Sequence, residues 1–161
     1  MTGIAGGLVH WKIKNENRLK FYNELARLYE KAEFYLVDQN VKTVIFFDEY
    51  SCDEEIINYE INQLARLLKS HSVRTGVEGW NRVMKSACEK LEIDDEIQMI
   101  IQNSGESFFE KNTNQISQKL KQYRKWITGI AIEQKEKYKS NEKVLYPVSV
   151  LCGLMLVIIL I

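Results

Sequence analysis

Proline is nearly absent from this chain: one residue, Pro147, among 161. Glycine is also sparse, at eight, with three in the first seven positions. So few breakers, with abundant Lys, Glu, Leu and Ile, leave little material for tight hairpins and exclude a sheet-rich fold in favour of helices. Net charge is absent too, since 22 Lys and Arg face 22 Asp and Glu. A neutral chain carries no electrostatic footprint for nucleic acid. Cysteine is limited to three residues, and Cys152 lies in an uncharged C-terminal run. Cys52 and Cys88 are expected on helical positions. They are expected to be reduced thiols of a cytosolic domain, not part of a secreted disulfide scaffold.

The motifs of common chemistries are missing as well. His10 and His71 are the only histidines, and they form neither HExxH nor any pair at ligand spacing; no cysteine pair has CxxC spacing. His71, between Ser70 and Ser72, is expected in a loop. Val44-Ile45-Phe46-Phe47-Asp48-Glu49 has the outline of a Walker B element, four apolar residues and then a metal-holding Asp and a water-polarising Glu. Its necessary companion, a GxxxxGK[ST] loop to cradle phosphates, does not occur. Asp48 and Glu49 are therefore expected to be a solvated acidic pair closing a buried apolar turn, idle in catalysis. No catalytic, cofactor-binding or metal residue is assigned, and neither an enzyme activity, a cofactor nor a small-molecule substrate is expected.

What is present is a long apolar run. Residues 144–161, VLYPVSVLCGLMLVIILI, carry no charged side chain, and twelve of these eighteen are Val, Leu or Ile. On an insertion scale those twelve favour the bilayer by about 4–7 kcal/mol. As a helix the run rises about 27 Å, close to a hydrocarbon core. A C-terminal transmembrane helix is expected over 144–161. Lys135, Lys137, Lys139 and Lys143 precede it. Basic flanks stay cytoplasmic, so the rest of the chain is expected in the cytosol, with a single pass. The N-terminus has a weaker version of the same pattern. Apolar residues lead to Trp11, then Lys12, Lys14, Arg18 and Lys20. Nine residues before His10 make about 14 Å of helix, too short to span. Residues 1–11 are thus expected to be the remnant of a first membrane helix, with an upstream start or a truncated copy as its origin. An upstream start would make the protein two-pass.

Residues 12–143 are expected to form one cytosolic helical bundle. Tyr22, Leu25, Tyr29, Ala32 and Leu36 recur every three or four residues, as one face of a helix does. Val41 to Phe47 is expected to be a short helix capped by Asn40, since no second strand exists to pair with it. Ser51 with Glu54, and Thr75 with Glu78, have capping-box spacing. The helices they open carry Ile57, Ile61, Leu64 and Leu68, then Trp80, Val83, Met84, Ala87 and Leu91. Trp80 is expected to be a packing anchor. Asp94 and Asp95 open a further helix with Ile97, Ile100, Ile101 and Phe108 inward. The longest helix follows, with Ile116, Leu120, Tyr123, Ile127 and Ile130 on one face; beyond Ile130 the pattern fades and the helix is expected to project toward the lipid. The fold class is all-α: an antiparallel bundle of five to six helices, then the transmembrane helix.

Three segments carry a resemblance to the stage III sporulation protein AB family. Gly153-Leu154-Met155-Leu156-Val157-Ile158-Ile159-Leu160-Ile161 resembles the family's terminal apolar helix. Glu78-Gly79-Trp80 resembles its Glu-Ala-Trp element, with Gly79 in place of Ala. Ser104-Gly105-Glu106-Ser107-Phe108-Phe109 stands where the family has a Phe-Gly-x-x-Leu-Gly turn, with Phe108-Phe109 replacing Leu-Gly. The resemblance implies a non-enzymatic membrane component of the machine joining mother cell and forespore, in the mother-cell membrane facing the forespore and required for spore development. It also implies similarity to the helical cytoplasmic domains of type II secretion and type IV pilus platform proteins. The implied partners are a secretion-type cytoplasmic ATPase and other membrane proteins of the same complex. The alternative from anatomy alone is a tail-anchored adaptor or regulator unrelated to sporulation.

Overall fold

A computed structural model describes residues 2–160 of the protein; the side chains of Thr2, Ile4, Ala5, Leu145, Tyr146, Ser149 and residues 152–160 lie outside that description. Among the described residues the chain is all-α. The elements are α1 (Thr2–Glu33), a π-helical turn (Phe34–Asp38), α2 (Thr43–Glu49), α3 (Glu55–Lys69), α4 (Gly76–Lys90), α5 (Asp95–Asn103), α6 (Gly105–Phe108) and α7 (Thr113–Leu160).

Two long helices form the frame. Helices α1 and α7 lie antiparallel, in a register fixed by side chains. Glu33 accepts from Ser117 Oγ at 2.9 Å and pairs with Lys121 at 3.2 Å, and Glu30 meets Arg124 at 3.7 Å. Far along the seam Trp11 stacks on Tyr138, ring centroids 5.3 Å apart. Between these points the apolar stripe expected on α1 is buried: Phe21, Tyr22, Leu25, Leu28, Tyr29 and Ala32, followed by Leu36 in the π turn. From α7 come Ile116, Leu120, Ile127 and Ala131.

The expected membrane helix is not a separate element. Its backbone is the end of α7, because nothing between Ile130 and Val144 breaks a helix, and α7 continues through Pro147. Proline removes one intrahelical donor there without ending the helix. Among the described residues no helix is long and apolar enough to cross a membrane. Most of the segment in question lies among the undescribed side chains. The N-terminal residues likewise belong to α1, which runs from Thr2 through Trp11 and Lys12 without a break.

The smaller helices close the core. Helices α3 and α4 form an antiparallel hairpin clasped by buried Glu60, which accepts from Ser86 Oγ and Lys90 Nζ, both at 2.7 Å. The expected cap of α2 is corrected. Asn40 is left-handed (φ 52°) and ends the π turn, while Lys42 precedes α2 with no side-chain cap. Asparagine tolerates that conformation because its short side chain bonds locally. The Ser51 capping box is also corrected. Glu54 itself caps α3, its carboxylate accepting from Ile56 N at 3.3 Å and Ile57 N at 2.6 Å. A carboxylate there also complements the helix dipole. Thr75 caps α4 as expected, accepting from Glu78 N at 3.1 Å, but Glu78 reaches back to Arg74 N, one residue beyond the box pattern.

The helix expected from Asp94 through Phe108 is broken at Ser104. The Ile101 carbonyl is taken by two side chains, Trp80 Nε1–H at 2.9 Å and Ser104 Oγ–H at 2.6 Å. Tyr29 O–H in turn donates to Ser104 Oγ at 2.7 Å. Gly105 lies on the Trp80 ring so closely that a Cβ would sit 2.4 Å from Cδ1. Trp80 is fully buried, as expected of a packing anchor, and contacts Phe108 at 4.6 Å between centroids; Phe47 meets Phe108 at 5.2 Å.

Candidate functional site

The residues singled out from sequence occupy separate places. Asp48, exposed, is paired with Lys69 at 2.6 Å between α2 and α3. Glu49 is exposed at the end of α2, so the acidic pair ends a helix and not the strand a Walker B element requires. His10 is exposed on α1. His71 is left-handed, φ 53°, and closes α3 by a Schellman motif, with Ser72 N–H donating to Leu67 O at 3.2 Å and His71 N–H to Leu68 O at 3.5 Å. Cys52 and Cys88 are free thiols; Cys88 lies on α4 as expected, whereas Cys52 lies in the connection between α2 and α3 and not on a helix. Burial pushes Cys88 up to about 12. Burial also raises Cys52, whose Sγ–H donates to the Glu54 carbonyl at 3.5 Å. Among the described residues no three His, Cys, Asp or Glu side chains group to hold a metal ion.

A surface that sequence reasoning missed lies at the end of the frame away from Trp11. There α1 widens into the π turn, a distortion frequent at functional sites. Leu36 stays in the core while Phe34 and Tyr35 turn outward, 49% and 43% exposed. Their rings meet edge to face at 5.3 Å, and Tyr35 leans on Phe46 at 6.0 Å. On α2, Ile45 adds an apolar side chain 45% exposed, with Val44 beside it. An open cavity of about 250 Å³ runs below Tyr35, lined also by Lys31, Val41, Phe46, Glu49, Tyr50 and Ser51. Its floor is rigid. Lys31 Nζ lies 5.1 Å over the Tyr50 ring, and the Tyr50 hydroxyl donates to Glu24 at 3.0 Å. Burial raises the Tyr50 phenol well above its ordinary range.

The chemistry offered is contact, with aromatic faces and a few charges and no nucleophile-and-base pair. Large apolar groups exposed together, beside a shaped cavity, mark interaction sites. One signal was legible beforehand: Phe34 and Tyr35 fall outside the three-and-four spacing of the buried stripe, so α1 had no place for them inside. What required the structure was α2 arriving beside them.

A family model described as Stage III sporulation protein AB matches residues 11–161. No curated protein and no solved structure matches the chain.

Proposed function

The chain belongs to the stage III sporulation protein AB family, and from that premise we propose that it is a membrane-anchored helical scaffold of the secretion-like complex between mother cell and forespore. In this reading 144–161 cross the membrane, the N-terminal end of α1 lies beside them, and the bundle stands in the mother-cell cytosol. The observation that carries it is the two-ended geometry. The antiparallel pairing of α1 with α7 gathers both apolar ends of the chain at one pole, where Val9 and Val144 are exposed. The aromatic surface of Phe34, Tyr35 and Ile45 is at the other pole. Twenty-two residues separate Lys12 from Phe34, about 33 Å of helix. A partner held at the same membrane, such as a secretion-type ATPase, would meet that surface at a high effective concentration.

The test is co-purification of the full chain from sporulating cells, with membranes solubilised in mild detergent. Wild type should bring down the ATPase and fractionate with membranes. Phe34→Ser with Tyr35→Ser should stay in membranes and lose the ATPase. Loss of residues 144–161 should release the bundle from the membrane. Retention of the ATPase by the double variant would remove the aromatic pole from the proposal, and membrane retention of the truncated chain would remove the anchor.

A further inference from the structure

The lysines beside the apolar pole are not equivalent once the helices are paired. Residues 10–20 and 133–144 together hold eight Lys or Arg against four Glu, in a chain with no net charge. The structure sorts these eight. Arg18 donates to the Leu91 carbonyl at 2.8 Å and also to the Glu92 carbonyl. Lys14 pairs with Glu92, and Lys137 pairs with Glu133 at 2.8 Å. Among the described residues, Lys12, Lys20, Lys135, Lys139 and Lys143 are exposed and have no carboxylate partner. Lys20, nine residues after Trp11, turns directly away from the seam, which leaves Lys12, Lys135, Lys139 and Lys143.

Those four share one face. The stack of Trp11 on Tyr138 marks where each helix faces the seam. Successive residues turn by about 100°, clockwise along α1 and, because α7 runs the other way, counter-clockwise along α7 in the same view. Lys12 and Lys139 each follow a stacked ring by one residue, so both point to the same side of the helix pair. Lys135 and Lys143 lie one turn before and after Lys139 on that side. The four fall within an arc of roughly 80°. Lys14 and Lys137 come out on the opposite side, which is where Glu92 pairs with Lys14. Two acids of α7 flank the lysine arc, each about 20° outside it: Glu142, half-buried on the seam side, and Glu136, exposed on the outer side; on α1 the nearest is Glu16, one turn further from the apolar pole.

We propose that this lysine face binds the headgroups of anionic phospholipids and so tilts the helix pair toward one side against the membrane. The proposal rests on the anchoring reading above. With the apolar segment in the bilayer from Val144 onward, Lys143, Lys139 and Lys135 stand at successive heights about 6 Å apart. Most of that range lies within a Debye length of a charged surface at physiological salt. Trp11 and Tyr138, amphipathic and stacked, belong at the level of the headgroups. Lysines held there attract anionic lipid, and they act together because they are on one side.

The experiment is flotation of the full chain with vesicles of phosphatidylcholine alone and with one third phosphatidylglycerol, at low and high salt. The wild type should bind both vesicles and prefer the anionic ones by roughly a hundredfold at low salt, with the preference fading at high salt. The quadruple variant Lys12→Gln, Lys135→Gln, Lys139→Gln, Lys143→Gln should keep its binding to neutral vesicles and lose the preference. A control with Arg74, Lys85, Lys111 and Lys125 changed to Gln should keep both. Equal wild-type binding to the two vesicles overturns the lysine face and leaves the anchor standing. A preference that survives in the quadruple variant, or vanishes in the control, overturns it as well. Binding to neither vesicle overturns the anchor, and the lysine face with it.

Discussion

From Phe21 to Ala32, helix α1 buries six side chains against its neighbours; from Gly3 to Lys20, none of its described side chains is buried. Helix α7 repeats the contrast, with Ile116, Leu120, Ile127 and Ala131 buried and nothing described beyond Ala131 buried. One pair of helices therefore has two regimes. In the bundle, burial of Leu, Ile and aromatic side chains supplies the stability, at about 1.5–3 kcal/mol for each large side chain. In the stalk, helix propensity, one aromatic stack and a few exposed ion pairs remain, each worth a fraction of that. A helix pair with so little internal cohesion and so much exposed apolar surface at its tip is suited to a second medium. The proposed anchor and the proposed lysine face both rest on that physical contrast.

The contrast is sharpest under core truncation. Trp80→Ala should cost about 3–5 kcal/mol, enough to threaten a domain of this size, as read by chemical denaturation. Gly105→Ala presses a methyl onto the same ring and should cost about 1–3 kcal/mol. A loss under about 1 kcal/mol for Trp80→Ala would place the load outside the aromatic cluster.

High pH should strike the bundle next. Burial holds the phenols of Tyr22, Tyr29 and Tyr50 above their ordinary value. The fold favours the neutral form, so this contribution is complete below about pH 10 and falls as pH rises toward the folded-state pKa. Each phenol should then contribute a slope of about 1.4 kcal/mol per pH unit. Thermal melts at rising alkaline pH should show the fall, and Tyr29→Phe should flatten it. A melting temperature unchanged above pH 10 would contradict the burial of these hydroxyls.

In the stalk the effects should shrink. Trp11→Ala should cost no more than about 0.5–1.5 kcal/mol, the value of one aromatic pair. Loss of cooperative unfolding in that variant would mean the stalk is part of the bundle's folding unit. At the aromatic pole, Phe34→Ser with Tyr35→Ser should change stability by only about 0.5 kcal/mol per site, since the side chains are half exposed. His71→Gly should be neutral or stabilising by up to about 1 kcal/mol, because glycine relieves the left-handed backbone. A loss of sporulation in stably folded His71→Gly would assign His71 a role beyond closing α3.

The outline of the fold was legible because helical amphipathicity is a local property. Tyr22 to Leu36, Ile57 to Leu68 and Ile116 to Ile130 show their buried faces by spacing alone, and Thr75 shows its cap. Helix ends were less legible where two candidates compete. Asn40 and Ser51 have the chemistry of a cap, but Asn40 went to a left-handed turn and Glu54 took the donors of α3. The break at Ser104 was hidden entirely, since it depends on Trp80 crossing from another helix to claim the Ile101 carbonyl. Of the aromatic pole, only the misfit of Phe34 and Tyr35 was visible.

The sequence by itself determined an all-helical chain, an apolar stripe for each helix, an uncharged C-terminal run flanked by lysines, and its family. Those are properties of spacing and composition, and they need no partner to be read. Only the tertiary structure decided that both apolar ends meet at one pole and that Phe34, Tyr35 and Ile45 meet at the other. It also decided which lysines are spent on carboxylates, that Arg18 is spent on carbonyls, and which four lysines share a face. The reason is the antiparallel register of α1 and α7. It is set by packing between residues about a hundred positions apart, and no local pattern encodes which residues of one helix will lie opposite which of the other.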